Sequence, residues 1–557
     1  MFRFPVLFLF FLITGSLFSQ SVKDTIKPKL FTLHGNIGLS FMAYAVDGIP
    51  SRQLPTSYIL SANATLSIGK FDLPFSFVYS DKQRSYAQSF DEFGISPTYK
   101  WLTVHLGYRN VTFSNYTLAG HSFLGAGIEL TPGIFRFGFV YGQFNRKTTG
   151  SPVFETNQLP QFKRTGFAVK LGLGNEKNFV DLIFQRIRDD STSLHQPDTG
   201  TIRTPEQNVV AGINSRFTFF KKLVWEVEGA FSLYTNDMRA NPSLDSTTSP
   251  IIRNMNKFLV INQSSEYYSA IRSSLKYKSK SWSLKLEYRR IDPNYRSMGA
   301  YYFANDLENL TLTPSVSLFK RKLTISGSIG MQRDNLKGVK KATSIRTIGN
   351  ANLSFNPSTK FGVDVSYSNY YIMQQAGRLP LNDTTKVQQM NQTISLMPRL
   401  LFFNTSLSHM IMAMYNRTTF TDGNQFTCTN ANFLSQIAQL TYVLGLVKTK
   451  WSFSVGGTYT IFSSAMAENT TMGGTIGISK SMIKDKLTCG WNNAAVYAVQ
   501  QQQGGWVLNS NITGNYKFIK HHSLKLNLFY TGNFSDPGSQ SKSFHEFKGD
   551  LSYVYSF

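Results

Sequence analysis

The stretch that most constrains this chain is its last, Phe547-Lys548-Gly549-Asp550-Leu551-Ser552-Tyr553-Val554-Tyr555-Ser556-Phe557, which alternates strictly and stops on an aromatic. Phe547, Leu551, Tyr553, Tyr555 and Phe557 share one face, and Lys548, Asp550, Ser552 and Ser556 share the other. Successive side chains of a strand point to opposite sides, so one side is apolar and the other polar. No chain is left to cover the apolar side, which makes sense where lipid covers it. Hydrocarbon offers free N–H and C=O groups no partner, so each strand must be paired on both edges, and closing a barrel is what pairs them all.

The same pattern fills the chain. The 46 Phe and 27 Tyr fall largely at period-two spacing, as in Phe135, Phe137, Phe139 and Tyr141, or Trp282, Leu284, Leu286 and Tyr288. Mean hydropathy is −0.19, and no window has the apolar length of a membrane helix, so hydropathy alone describes a secreted soluble protein. A soluble multidomain β-protein needs linkers between domains, and none of the gaps has that character.

The closing strand, with Tyr553, Tyr555 and the final Phe557, resembles the C-terminal strand of Gram-negative outer-membrane β-barrels. The resemblance implies that these aromatics form part of the signal read by the barrel-insertion machinery. It also implies an outer-membrane location, with lipid and lipopolysaccharide as surroundings, and it names no cargo.

At the other end, Met1-Phe2-Arg3-Phe4-Pro5, the apolar run Val6 to Ile13 and the small residues up to Ser19 describe a secretory signal peptide over 1–19. No cysteine lies near the expected cleavage point, so no lipid anchor is expected. Residues 20–30 are then a short periplasmic lead without room for a separate N-terminal plug domain, and 31–557 a single barrel. Cys428 and Cys489 fit neither a disulfide framework nor a metal site.

Short turns alternate with longer polar loops, short toward the periplasm and long toward the outside in a transmembrane barrel. Eleven tight turns are legible, among them Gly69-Lys70, Lys221-Lys222, Arg399-Leu400 and Lys480-Ser481. The expected fold is therefore all-β, a large antiparallel up-and-down transmembrane barrel of about 24 strands, within roughly two, with both termini periplasmic. Residues 81–119 do not fit the unit. One reading folds them inward as a plug or constriction, with Asp91, Glu92, Tyr99, Trp101 and Arg109 as its residues; the other makes them an extra hairpin of a 26-stranded barrel.

The formal charge is +25, from 57 Lys and Arg against 32 Asp and Glu. Much of the excess sits in short turns, away from any aromatic stacking face, which excludes a nucleic-acid partner. Inward charges are more telling, because they must meet water, another charge or a passing solute. Glu226 and Glu228, then Arg272 and Lys276, then Lys285, Glu287 and Arg289 fall on three successive strands, where they can interlock across the wall or line a path. The eight histidines are scattered, no metal-ligand spacing or phosphate cradle appears, and no cofactor or catalytic residue is expected. The sequence points to a porin-like channel for passive or gated passage of hydrophilic solutes, not an enzyme. The alternative is a scaffold barrel, its lumen blocked, that docks other envelope proteins.

Overall fold

A computed structural model describes residues 31–80, 92–148, 160–194, 203–241, 259–300, 304–500, 503–536 and 542–557, and these form one closed antiparallel sheet. The expected signal peptide, the lead over 20–30 and Asp91 lie outside the described residues.

The first strands are β1 (Phe31–Asp47), β2 (Thr56–Ile68), β3 (Phe71–Ser80), β4 (Glu92–Ile95), β5 (Thr98–Tyr99), β6 (Leu102–Asn110) and β7 (Ser122–Leu130). Next come β8 (Phe135–Asn145), β9 (Arg164–Gly174), β10 (Phe179–Asp189), β11 (Gln207–Phe219), β12 (Leu223–Thr235), β13 (Ser265–Lys278) and β14 (Trp282–Ile291). They are followed by β15 (Leu307–Leu318), β16 (Leu323–Arg333), β17 (Ala342–Phe355), β18 (Phe361–Ala376), β19 (Gln388–Phe403), β20 (Leu407–Asp422) and β21 (Phe433–Leu446). The last are β22 (Trp451–Ser464), β23 (Glu468–Met482), β24 (Leu487–Gln500), β25 (Gln503–Ile519), β26 (His522–Ser535) and β27 (Phe544–Ser556).

Each strand pairs with its sequence neighbour, and β27 returns to β1 in register from Asn36↔Ser556 to Asp47↔His545. At the seam Gly35 N–H donates to the Phe557 carbonyl (2.9 Å) and Phe557 N–H donates back to Gly35 (3.0 Å), so the last residue completes the closure.

The barrel has 26 staves, where about 24 were expected. The two extra come from the segment the turn count passed over. β4 and β5 are two pieces of one stave, because Pro97 has no N–H for the ladder and breaks it. Both pieces still pair with β3 on one side and β6 on the other. A tight turn at Lys100-Trp101, with Lys100 at φ 52°, then closes β5 onto β6. Two other turns are displaced: Arg399-Leu400 lies inside β19, whose aromatic end runs on to Phe403, and Lys480-Ser481 lies inside β23. The true turn after β19 is fixed by the Asn404 side chain, which accepts the N–H groups of Ser406 (2.8 Å) and Leu407 (2.7 Å).

The outer surface is apolar. Leu39, Phe41, Trp225, Phe231, Leu284, Leu286, Ile329, Met331, Val455 and Tyr459 all stand exposed on it. Aromatic pairs mark its two rims: Tyr277 with Trp282 (ring centroids 5.0 Å apart) toward the short turns and Phe231 with Tyr267 (5.8 Å) toward the long loops. Unbroken staves run from 9 to 17 residues, enough for tilted strands to cross a bilayer core. Among the described residues no helix is long and apolar enough to do so. Cys428 and Cys489 are both free, one at the long-loop end and one near the short-turn end of β24.

Candidate functional site

Because the outer face is occupied by lipophilic side chains, chemistry falls to the inner one. On β7 to β11 that face is unusually bare: Gly125, Gly127, Gly138, Gly142, Gly166, Gly172 and Gly212 all point inward. The space they leave is used. A Cβ on Gly138 would stand 2.8 Å from the Phe113 ring, and one on Gly212 would stand 2.6 Å from Thr117 Cγ2.

Phe113 and Thr117 belong to residues 111–121, the connection from β6 to β7, which turns into the barrel and packs against the wall. Leu118 is fully buried there, with Val111, Phe113 and Tyr116 nearly so. A second connection, from β14 to β15, does the same: the Tyr295 hydroxyl donates to the Tyr116 carbonyl and the Ser297 hydroxyl to the Thr117 carbonyl, both at 2.6 Å. Ala119 N–H reaches the Gly299 carbonyl (2.9 Å). Together with Phe123, Phe144, Ile187, Tyr234, Tyr268 and Ile291 on the strands, these residues form an apolar core inside the barrel. Burial there pushes the Tyr116 phenol up to about 12.

Toward the short turns the inner face becomes charged. Glu228 is the hinge between the two zones, since its two carboxylate oxygens accept the backbone N–H and, at 2.9 Å, the side-chain amide of Asn115. Beside it Arg272 lies 3.9 Å from Glu228 and 3.0 Å from Glu287, which also accepts from Lys285 (2.6 Å). On the other side Arg216 holds Glu226. Arg136 makes a bidentate pair with Asp181 (2.7 and 2.9 Å), and Lys170 meets Glu129 (2.9 Å), which is also 3.3 Å from His105. Two of these pairs skip a stave: Gly172 stands between Arg136 and Asp181, and Gly138 between Glu129 and Lys170. Glycine permits the crossing, because any Cβ there would block the bridging side chains. Below the infolded segment the lattice encloses a recess of about 350 Å³, lined among others by Asn115, Arg136, Asp181, Arg216, Glu226 and Arg272.

The inward residues read from sequence meet here in part. Glu228, Arg272, Lys285 and Glu287 form one ion-paired chain, and Glu226 stands beside it, held by Arg216 and by the Ser274 hydroxyl, which donates to it at 3.3 Å. Lys276 sits opposite Lys285 and Arg289 opposite Arg272; among the described residues neither has a carboxylate partner. The residues expected in an inward-folded 81–119 divide differently. Glu92 lies in β4, while Tyr99 and Trp101 are exposed at the hairpin that closes β5 onto β6. Arg109 is on the inner face of β6, where its guanidinium donates to Ser76 (2.7 Å). The part that turns in is 111–121. Missed altogether were Asn115, Glu129, Arg136, Lys170, Asp181 and Arg216. Glycines on the inward positions of β8 and β9, Gly138, Gly142, Gly166 and Gly172, were the available signal. Tyr553 and Tyr555 face outward beside His522, with the Tyr553 hydroxyl 2.7 Å from its Nδ1.

The remaining wall is different. From β18 to β27 the only buried residues other than glycine, among those described, are Asp422 and Asn424 at the long-loop end. β21, β22 and β24 contain no Asp, Glu, Lys, Arg or His, and their inner faces carry mostly Ser, Thr, Asn, Gln and small residues, with Phe433, Ile437, Val443, Phe462 and Val496 among them. Among the described residues no group of His, Cys, Asp and Glu could hold a metal ion.

A closed barrel with an apolar exterior and a polar, partly filled interior defines a transmembrane β-barrel. No family model and no curated protein matches the sequence. Among solved structures the chain is similar to Acinetobacter baumannii OccAB3, at 12% identity over 68% of this chain and 98% of that one, with a TM-score of 0.34. Pseudomonas aeruginosa OccK9 (OpdG) matches at 12% identity over 70% and 98%, TM-score 0.31. A chain of the E. coli P pilus tip assembly intermediate PapC-PapD-PapK-PapG matches at 10% identity over 96% and 63%, TM-score 0.33.

Proposed function

We propose that this chain is an outer-membrane channel of a Gram-negative bacterium that passes hydrophilic solutes. The short turns and both chain ends face the periplasm, and the long loops meet the lipopolysaccharide side. Phe557, with Tyr553 and Tyr555, serves as the insertion signal. A barrel this wide encloses an opening that side chains alone do not fill, since diameter grows with strand number. Among the described residues, 111–121 and 292–300 narrow it from one side. The observation that carries the reading is the largely polar wall from β18 to β27, where, among the described residues, almost no inward side chain is buried. In this reading the charged lattice around Glu228 holds the constriction in place, and the solute moves along the opposite wall.

Purified full-length protein in planar bilayers tests this. Steady ion current with discrete openings is the expected result. A silent barrel that purifies with other envelope proteins would mean a scaffold instead.

A further inference from the structure

We infer that the preferred solute is uncharged and rich in hydroxyl groups, of the saccharide class, and that it is held at a recess on the inner face of β22 to β26; this rests on the channel reading. The recess has a volume of about 370 Å³ and is lined by Thr475, Asn492, Asn509, Asn511, Phe529 and Thr531. That volume lies in the range of small-molecule sites.

Its depth comes from small inward residues. Two rows run across the staves: Ser454, Gly477, Asn492, Asn511 and Phe529 in one, and Gly456, Thr475, Ala494, Asn509 and Thr531 in the next. Gly477, Gly456 and Ala494 leave the hollow, and three asparagine amides stand around it. Asn509 is fixed by the Thr531 hydroxyl, which donates to it at 2.9 Å. The Asn511 carbonyl oxygen is enclosed and has no protein partner among the described residues. Phe529 presents an exposed ring to the same space.

Amides that both donate and accept, next to one apolar ring face, suit a molecule with hydroxyls around its edge and C–H groups on its flat side. An ion fits poorly. No charge lines the recess, so an ion would shed water without a counter-charge. The Lys548 ammonium stands over the Phe529 ring at 6.0 Å and is paired with Asp550 at 3.6 Å.

The test uses full-length protein in planar bilayers with maltohexaose, hexagalacturonate and a polyethylene glycol of matched size as probes. Maltohexaose is expected to give resolved blocking events whose frequency rises with concentration, hexagalacturonate and the glycol none. Asn492→Ala with Asn511→Ala should shorten the block at least several-fold. Identical behaviour of maltohexaose and the glycol, or blocks unaffected by the double substitution, would overturn the inference with the channel reading intact. If no current flows, the channel reading fails, and titration of maltohexaose into the detergent-solubilised barrel decides the site alone. Binding lost in the double variant supports it, and no heat with the native protein refutes it.

Discussion

The two sides of the lumen share one exterior and differ in what most of their inward positions carry. From β6 to β14 the inner face carries many Arg, Lys, Asp and Glu, with glycines among them on β7 to β9 and β11, the charges pair across staves, and two connections fold in to cover it. From β18 to β27 the inward positions are mostly Ser, Thr, Asn, Gln and apolar residues, charges are sparse, as in Asp364 with Arg399 and Lys548 with Asp550, and among the described residues almost none is buried. The outer pattern is set by lipid and is therefore uniform. The inner alphabet is free to vary, and it divides the interior into a built side and an open one.

Removing the built side has the largest expected effect. Replacing residues 112–118 by a short glycine linker should raise single-channel conductance several-fold; unchanged current would show that the segment does not bound the path. Deleting all of 81–119 is a poorer experiment, because 92–110 supplies two staves and its loss opens the ring.

Charge placed on the open side comes next. Thr458→Asp together with Asn492→Asp should shift selectivity strongly toward cations, read as a reversal potential in a salt gradient. A reversal potential equal to the native one would move the path elsewhere.

Third is the hinge between the zones. Glu228→Ala removes the carboxylate that accepts from the Asn115 N–H and side-chain amide, a loss of about 1–3 kcal/mol. It should appear as noisier current and a lower unfolding temperature on heated gels, and Gly138→Val should do likewise by displacing the Phe113 ring. Quiet current in both would mean that the infolded segment is held by something other than Glu228 and the glycine gap.

The smallest effect is expected from Lys285→Glu with Arg289→Glu, on the built side. Their selectivity shift should be well below that of the Thr458 and Asn492 pair. A larger shift would reverse the assignment of the two sides.

How much of this the sequence carried follows from what each feature depends on. Outward periodicity is local, so the closed barrel, its alternating turns and the seam at Phe557 were legible. The stave count missed one hairpin because Pro97 interrupts its ladder and Lys100-Trp101 lacks the glycine that marks a turn at Gly69. Glu228, Arg272, Lys285 and Glu287 could be placed together because β12, β13 and β14 are consecutive. Arg136 with Asp181 could not, since the pair depends on Gly172 in the stave between. Nor does any pattern in 111–121 announce that Asn115 will reach Glu228, because that contact is set by where the two staves stand around the ring.

The most direct test compares reagent access on the two sides. In a background with Cys428→Ser and Cys489→Ser, Thr458→Cys and Ala270→Cys are each exposed to a water-soluble cationic thiol reagent while current is recorded. Thr458→Cys should react within the recording and its current fall, whereas Ala270→Cys, buried in the interior core, should stay unchanged. Rapid loss of current at Ala270→Cys with none at Thr458→Cys would contradict the assignment of an open wall opposite a filled one.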